Sequence, residues 1–146
     1  MNQVDLAYYA GFFDGEGNVI AFREKDRRFF DGFRYRVRTQ VSNNNPAPLK
    51  EIQACYGGRL FVRVNNGNRK PSWYLTFGHP TSQKFLSEIL PYLRIKRKQA
   101  ELALEFIKSV HRRGGNEWIP RLTRDEQTRR EKLRNQIRAL NAEYHG

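Results

Sequence analysis

The segment YAGFFDGEG, residues 9–17, ends an apolar helical run in two carboxylates set among glycines. Apolar residues recur at three- and four-residue spacing before it, so we predict a helix over 4–17. Its glycines are expected to end the helix, because glycine reaches positive φ angles at little cost. The residues that follow, NVIAFR at 18–23, are typical of a strand. Asp14 and Glu16 are therefore expected where the helix meets the strand.

Two carboxylates at the C-terminal end of a helix are unfavourably placed, because the helix dipole is already negative there. A cation or a strong hydrogen-bond donor is needed to stabilise them. Metal binding is one interpretation, since ions such as Mg²⁺ are held by few carboxylates together with water and phosphate oxygens. The other is a helix-to-strand turn, in which acidic residues and glycine are common. The spacing alone leaves both interpretations open.

The composition points to a polyanionic partner. The chain carries 27 Lys and Arg against 15 Asp and Glu, a net charge of +12. Ribosomal and nucleoid proteins are equally basic, so the charge indicates nucleic acid without indicating a reaction. The 146 residues fit a single domain, 1–146, with a core of its own. The 38% apolar content favours a folded protein over a disordered basic tail.

A four-stranded antiparallel sheet with one basic face is predicted for about 18–77. Residues 34–42 alternate between basic or polar and apolar side chains, which is the period of a half-buried strand. A tight hairpin turn is expected at Asn65–Asn68, where Asn and Gly tolerate positive φ. The four predicted strands are 18–28, 34–42, 59–64 and 72–77.

The polar face of this sheet is the expected DNA-binding surface. A solvated outer face is the plainer interpretation, but such a face normally mixes charges. Residues 33–42 and 57–76 instead hold seven basic side chains and no acidic one. A twisted β-ribbon can enter the major groove, where Arg bonds guanine and Gln bonds adenine. The candidate contacts to bases or phosphates are Arg34, Arg36, Arg38, Gln40, Arg59, Arg63, Arg69, Lys70, Tyr74 and Thr76.

Helices are predicted around this sheet from apolar periodicity and helix-end signals. Thr81 or Ser82 is expected to cap one helix, and Gly114-Gly115 to end another. The single Cys55 is expected to be a small core residue of its helix, because free cysteine is usually buried. The predicted helices after the first one are 48–56, 81–90, 96–110 and 122–141.

Nothing in the sequence suggests a membrane span or secretion. No stretch approaches the roughly 20 apolar residues of a membrane span, and the N-terminus lacks a signal-peptide pattern. One cysteine excludes an internal disulfide, which fits a reducing compartment. We therefore expect the cytoplasm of a prokaryote or the interior of a chloroplast or mitochondrion, with no membrane partner.

The nonamer at 9–17 resembles the signature of the LAGLIDADG homing endonucleases, an apolar helix ending in small-acid-small-acid-glycine. Ala10, Gly11, Asp14 and Gly17 match in kind, and Glu16 occupies the position of the second acid. A second match is LRIKRKQA at 93–100, which resembles the segment that carries the family's active-site lysine. The departures are aromatic residues at three positions where the family has aliphatic ones.

The resemblance implies an α+β fold of order αββαββα, with a saddle-shaped four-stranded antiparallel sheet and additional C-terminal helices. It also implies a metal site formed by Glu16 and by the backbone carbonyl of Gly15, with Lys96 assisting electrostatically. Asn43 falls where some members have a polar residue that positions water. The catalytic candidates are thus Glu16, Lys96 and Asn43.

The resemblance further implies a homodimer, because only one signature is present and cutting two DNA strands requires acids at two phosphates. The motif helices of two copies would pack at the twofold axis, and the candidate interface residues are Ala10, Gly11 and Asp14. The expected cofactor is Mg²⁺, with Mn²⁺ able to substitute and Ca²⁺ supporting binding without cleavage. No small-molecule cofactor is expected.

The implied function is intron homing, that is, site-specific double-strand cleavage of a long pseudo-palindromic DNA target. One alternative is an intron RNA maturase on the same scaffold. Another is a catalytically silent DNA-binding regulator. The presence of both Glu16 and Lys96 favours the enzyme, because a pure binding module does not need an acid at the helix end.

Overall fold

The computed structural model describes residues 1–64, 66–67, 69–111 and 123–143. Within these residues five α-helices, four strands and one 3₁₀ turn follow each other in the predicted αββαββα order, with two further helices after it. The elements are α1 Gln3–Glu16, β1 Gly17–Lys25, β2 Phe33–Asn43, α2 Ala47–Tyr56, β3 Arg59–Arg63, β4 Ser72–Phe77, α3 His79–Ile89, the 3₁₀ turn Leu90–Tyr92, α4 Arg97–His111 and α5 Arg124–Glu143.

The four strands form one antiparallel sheet in the order β1-β2-β4-β3, which confirms the predicted α+β fold. Gly17 pairs with Val41 at one end of the β1–β2 ladder, and Lys25 pairs with Phe33 at the other. Alternate strand residues, such as Val37 and Leu75, join helix residues in one hydrophobic core. One sheet face is thus buried beneath the helices, and the other is left for contacts.

Helix α1 begins with a capping box between Asn2 and Asp5 and ends as the chain enters β1. The glycine at this end does not have the expected positive φ, since Gly17 has φ −90°. A Cβ at Gly17 would instead lie within 2.6 Å of three ring atoms of Phe13. The glycine is required there by close packing against a fully buried ring.

Several predicted element ends are wrong. The first strand ends at Lys25 rather than at 28, because the backbone amide of Asp26 donates to the carbonyl of Gly32 and closes a turn. The predicted caps of α3 are also wrong. That helix begins at His79, and the buried Ser82 hydroxyl hydrogen-bonds the carbonyl of Phe77 instead.

The edge strand β3 lacks the buried apolar side that its alternating sequence predicts. Val62 is 41% exposed, and Val64, which lies beyond the strand, is 80% exposed. Cys55 is exposed on α2 rather than a core residue. The expected hairpin-turn residues Asn65 and Asn68 and the expected helix end at 114–115 lie outside the described residues. No helix in the described ranges is long and apolar enough to cross a membrane.

Candidate nucleic-acid interface and active site

The face of the sheet opposite the helices carries the predicted strand contacts on three neighbouring strands, β2, β4 and β3. Because antiparallel partners project to the same side, the pairing of Gln40 with Thr76 and of Thr76 with Arg59 places three strands in register. The ladder thus brings together eight candidates from three strands: Arg34, Arg36, Arg38, Gln40, Arg59, Arg63, Tyr74 and Thr76. Their assembly on one surface, hereafter the outer face, agrees with the sequence pattern.

Aromatic rings position several arginines of the outer face. The ring of Phe61 stacks on Tyr74, with centroids 5.4 Å apart. The guanidinium of Arg63 lies 4.9 Å from the Tyr74 centroid, and that of Arg59 lies 5.7 Å from Phe61. Cation–π contact orients these groups while leaving their N–H donors available for bases or phosphates. Phe61 was not among the predicted contacts. Its position two residues from both Arg59 and Arg63 indicates that it lies on the same side of the strand.

Strand β1 completes the outer face, and it carries an acid. Register places Glu24 beside Arg34 and Arg36, and its carboxylate lies 3.6 Å from the Arg36 guanidinium. Phe22, on the same face, lies 5.5 Å beneath the guanidinium of Arg38. The charge of this face is therefore less uniform than residues 33–42 and 57–76 alone indicate. Arg69 and Lys70 lie just before β4, in the connection from β3, and are exposed.

At the C-terminal end of α1 the side chain of Glu16 is exposed, and so is Gly15. The last carbonyls of a helix have no intrahelical donor, which leaves the Gly15 oxygen as a potential ligand. Within the described residues no cluster of three or more His, Cys, Asp or Glu side chains is present. One chain thus presents one exposed carboxylate for a cation, with a backbone carbonyl beside it.

Lys96 is the cation that the helix end requires. Its ammonium donates to the carbonyl of Gly17 and, at 3.4 Å, to that of Phe13. A positive charge at a helix C-terminus is favourable because it opposes the dipole. Burial lowers the pKa of Lys96, whereas the neighbouring carboxylates of Asp14 and Glu16 act to raise it. The ammonium is therefore fixed beside the exposed acid.

Asp14, which was expected at the dimer interface, is hydrogen-bonded within its own chain, and its place at an interface stays a prediction. Its carboxylate accepts from the backbone amides of Arg94, Ile95 and Lys96 at 2.9, 3.2 and 2.9 Å. Three converging N–H donors are what a carboxylate at a helix C-terminus needs. Asp14 thus anchors the turn that delivers the lysine. The two acids of the motif therefore differ: Asp14 is bonded to the backbone of its own chain, whereas Glu16 is exposed.

Asn43 ends β2, two residues beyond the pair formed by Val41 and Gly17. Its side-chain oxygen accepts from the backbone amide of Asn45 at 2.8 Å, so it stabilises the turn into α2. The register puts it at the α1 end of the sheet, but this internal bond occupies the oxygen. Its role as a water-positioning residue stays a prediction.

The predicted interface residues Ala10 and Gly11 differ in exposure. Ala10 has no exposed surface in the single chain because its own core covers it, so it has nothing to bury against a partner. Gly11, by contrast, is exposed, and nothing lies within 4 Å of a Cβ built there. The exposed side of α1 is a stripe at helical spacing formed by Val4, Ala7, Tyr8, Gly11 and Gly15.

Two curated proteins are similar to this chain. The DNA endonuclease I-CvuI of Chlorella vulgaris is 31% identical over 111 residues, 75% of this chain and 67% of that protein. The DNA endonuclease I-CreI of Chlamydomonas reinhardtii is 26% identical over 113 residues, 75% of this chain and 66% of its own length. The chain thus spans about two thirds of these relatives. No protein-family model matches it.

Solved structures share the fold. A crystal structure of I-CvuI with the I-CreI target in 2 mM Mg, in which the DNA is not cleaved, has a TM-score of 0.72 at 25% identity, covering 94% of this chain and 82% of that one. The archaeal intron-encoded homing endonuclease I-Vdi141I complexed with DNA has a TM-score of 0.75 at 19% identity, covering 94% and 84%. The second likeness concerns the fold alone.

Proposed function

This chain belongs to the LAGLIDADG homing endonuclease family and is a site-specific DNA endonuclease, and we propose that it cuts a long pseudo-palindromic target as a metal-dependent homodimer. The observation that carries the proposal is the pairing of an exposed Glu16 with a fixed Lys96 at the end of the outer face. A pure binding module does not need a half-buried lysine held beside an exposed carboxylate.

The homodimer follows from the number of acids and from the surface of α1. Cleavage of both strands needs carboxylates at two scissile phosphates, and each chain offers one at Glu16. The exposed stripe on α1 includes Val4 at 78% and Tyr8 at 60% exposure, beside glycines that allow close backbone approach. Burying large exposed apolar side chains is favourable by about 25 cal/mol per Å². Two copies packed through this stripe would bring the two acids together.

The residues at the end of α1 suit a hard divalent cation, since Mg²⁺ prefers carboxylate and carbonyl oxygens and keeps several waters. Glu16 and the Gly15 carbonyl would hold it, and the structures of I-CvuI with DNA were determined in the presence of 2 mM Mg or 2 mM Ca. Such an ion, when bound, supplies a more acidic water and charge stabilisation at the phosphate. Lys96 contributes a fixed positive charge beside it, which favours the negative charge that develops on the phosphate.

The length of the sheet sets the extent of each half-site. Strand β1 starts at the helix end with Gly17 and runs nine residues to Lys25, a span of about 27 Å. At 3.4 Å per base pair, this covers about eight base pairs outward from the centre. A twofold dimer reads two such halves, so the target is pseudo-palindromic.

The alternatives are an intron RNA maturase and a silent DNA-binding regulator. The outer face favours duplex DNA, because arginines and Gln40 project from a strand ribbon of a kind that fits the major groove. We place the protein in an organelle or in a prokaryotic cytoplasm, which is compatible with the algal origin of the two curated relatives.

The test separates binding from cleavage. Duplexes selected from a randomised library by binding in Ca²⁺ are incubated with the wild-type protein in Mg²⁺, with Glu16→Gln alongside. We expect cleavage by the wild type and undiminished binding without cleavage by the variant. Asp125→Asn, an exposed acid in the first turn of α5 at the opposite end of the β1–β2 ladder from Glu16, is the matched control. Tight binding by a wild type that never cuts in Mg²⁺ or Mn²⁺ contradicts the enzyme, and a monomer on DNA contradicts the shared site.

A further inference from the structure

The first turns of α5 are joined to the turn of the β1–β2 hairpin by one buried side chain. Gln127 is 1% exposed, and its amide donates to Oδ1 of Asp31 at 2.8 Å and to the carbonyl of Phe33. Both acceptors belong to the end of the hairpin turn and the start of β2. A helix more than 90 residues further along the chain is thus hydrogen-bonded to this hairpin.

Asp31 is the centre of this contact. Its carboxylate also accepts from the backbone amide of Phe33 at 3.0 Å and from the hydroxyl of Tyr35 at 3.3 Å. The turn is closed by the bond from the Asp26 amide to the Gly32 carbonyl at 2.9 Å, and Gly32 has φ +78°. Gln127 adds to these a hydrogen-bond donor to Asp31 that comes from outside the hairpin.

Burial of the Gln127 amide is unfavourable for one of its atoms. Within the described residues, the Oε1 atom of Gln127 is buried and has no hydrogen-bond partner. A buried polar atom without a partner is unfavourable. An apolar side chain of similar size would avoid that cost, so the two N–H donors are the feature that the amide provides.

A second contact reaches the tip of the same turn. The guanidinium of Arg124, in the first turn of α5, lies 5.3 Å over the ring of Phe30, which is 58% exposed. The helix start is itself fixed by reciprocal bonds between Thr123 and Glu126. Leu133 and Ile137 anchor the helix further along in the core. Helix α5 therefore offers a rigid support against which the turn is held.

The supported turn lies where the outer base pairs of a half-site would be read. It follows the end of β1 that is about 27 Å from Gly17, or about eight base pairs from the centre of the target. Arg27 and Arg28 are exposed in it, and Arg34 is the second residue of the adjoining strand β2. Base contacts require side chains held close to their productive geometry. A hairpin end without support would therefore discriminate less between bases.

We propose that α5 is a brace that determines specificity at the outer part of each half-site, with Gln127 as its positioning residue. The residue acts through the hairpin and does not touch DNA. The inference rests on the proposed function, and it assigns to the C-terminal helix a part in target choice that the outer face does not carry alone.

The test compares Gln127→Met with Gln136→Met, a glutamine that is exposed on the same helix. Random duplexes are selected by binding in Ca²⁺, and base preference is scored by position. A wrong base ordinarily weakens binding about 5- to 150-fold. We expect that penalty to fall towards onefold near the eighth base pair in Gln127→Met, and to be kept near the centre. The Gln136→Met profile should equal that of the wild type.

A second variant covers the case in which Gln127→Met does not fold, as judged by its thermal transition. Arg124→Ala removes an exposed side chain and should relax the same outer positions to a smaller degree. Loss of binding that is uniform over all positions indicates a phosphate contact and overturns the brace. Unchanged outer preference in both variants also overturns it, while the proposed function stands. A wild type that enriches no duplex overturns both.

Discussion

Replacing Asp14 with asparagine tests whether this acid holds the lysine-bearing turn. The carboxylate accepts three backbone amides, two of them at Oδ1 and that of Arg94 at Oδ2. Asparagine keeps the Oδ1 acceptor but turns an N–H₂ group towards the Arg94 amide, so one bond is lost and the other two lose their charge assistance. A hydrogen bond to a charged group contributes about 1 kcal/mol more than one to a neutral group.

Loss of the bond at Oδ2 costs about 2 kcal/mol and the two weakened bonds cost about 1 kcal/mol each, a total of about 4 kcal/mol that partial exposure of the site reduces to about 2 kcal/mol. For a domain of this size that corresponds to a decrease in Tm of about 6 °C. The cleavage rate should fall more than stability alone explains, because the turn determines where the ammonium of Lys96 lies. A displacement of about 1 Å at a catalytic group can cost about 100-fold in rate.

The assays are thermal unfolding, binding to selected duplex in Ca²⁺, and single-turnover cleavage in Mg²⁺ at a temperature where the variant is folded. Asp125→Asn, an exposed acid in the first turn of α5, removes the same charge elsewhere and should leave binding and cleavage unchanged, with a loss of stability below about 1 kcal/mol from the helix dipole. We expect Asp14→Asn to bind but to cut about 10- to 100-fold more slowly. Wild-type cleavage in a folded Asp14→Asn protein would refute the anchoring role.

Gly17→Ala should lower the free energy of unfolding by about 1–3 kcal/mol, because the new methyl group meets the ring of Phe13. Gly78→Ala, where the added Cβ meets nothing within 4 Å, is the control, and equal denaturation midpoints would contradict the packing argument. Tyr9→Phe should cost about 1–2 kcal/mol, because its hydroxyl donates to a carboxylate of α2, whereas Tyr8→Phe, 60% exposed, should change little. Burial and that carboxylate raise the pKa of Tyr9 above 10.0. The contribution of the Tyr9 hydroxyl to the free energy of unfolding is therefore complete below pH 10.0 and is lost as the pH rises above it. Urea titrations at several pH values should show this loss in the wild type and not in Tyr9→Phe. Binding to duplex should weaken with salt at a log–log slope of about −0.9 per phosphate contacted, and a flat salt profile would exclude the outer face as a phosphate-binding surface.

The sequence determined the features that depend on near neighbours along the chain. The alternation over 34–42 fixed which side chains share the outer face, because a strand turns its side chains to opposite sides at every residue. The motif at 9–17 likewise placed an acid where α1 meets β1. The sequence did not predict that the Asp26 amide closes a turn, nor that Cys55 is exposed. Both features depend on what packs nearby.

The tertiary structure decided how the polar groups are paired. Asp14 finds its donors 80 to 82 residues away, and Lys96 bonds a carbonyl 79 residues before it. The bond from Gln127 to Asp31 spans 96 residues. Local pattern gives the face on which a residue lies, but such partners are set by how helices pack on the sheet. For that reason the two acids at the end of α1 look alike in the sequence, and only the fold shows that one anchors a turn while the other is exposed.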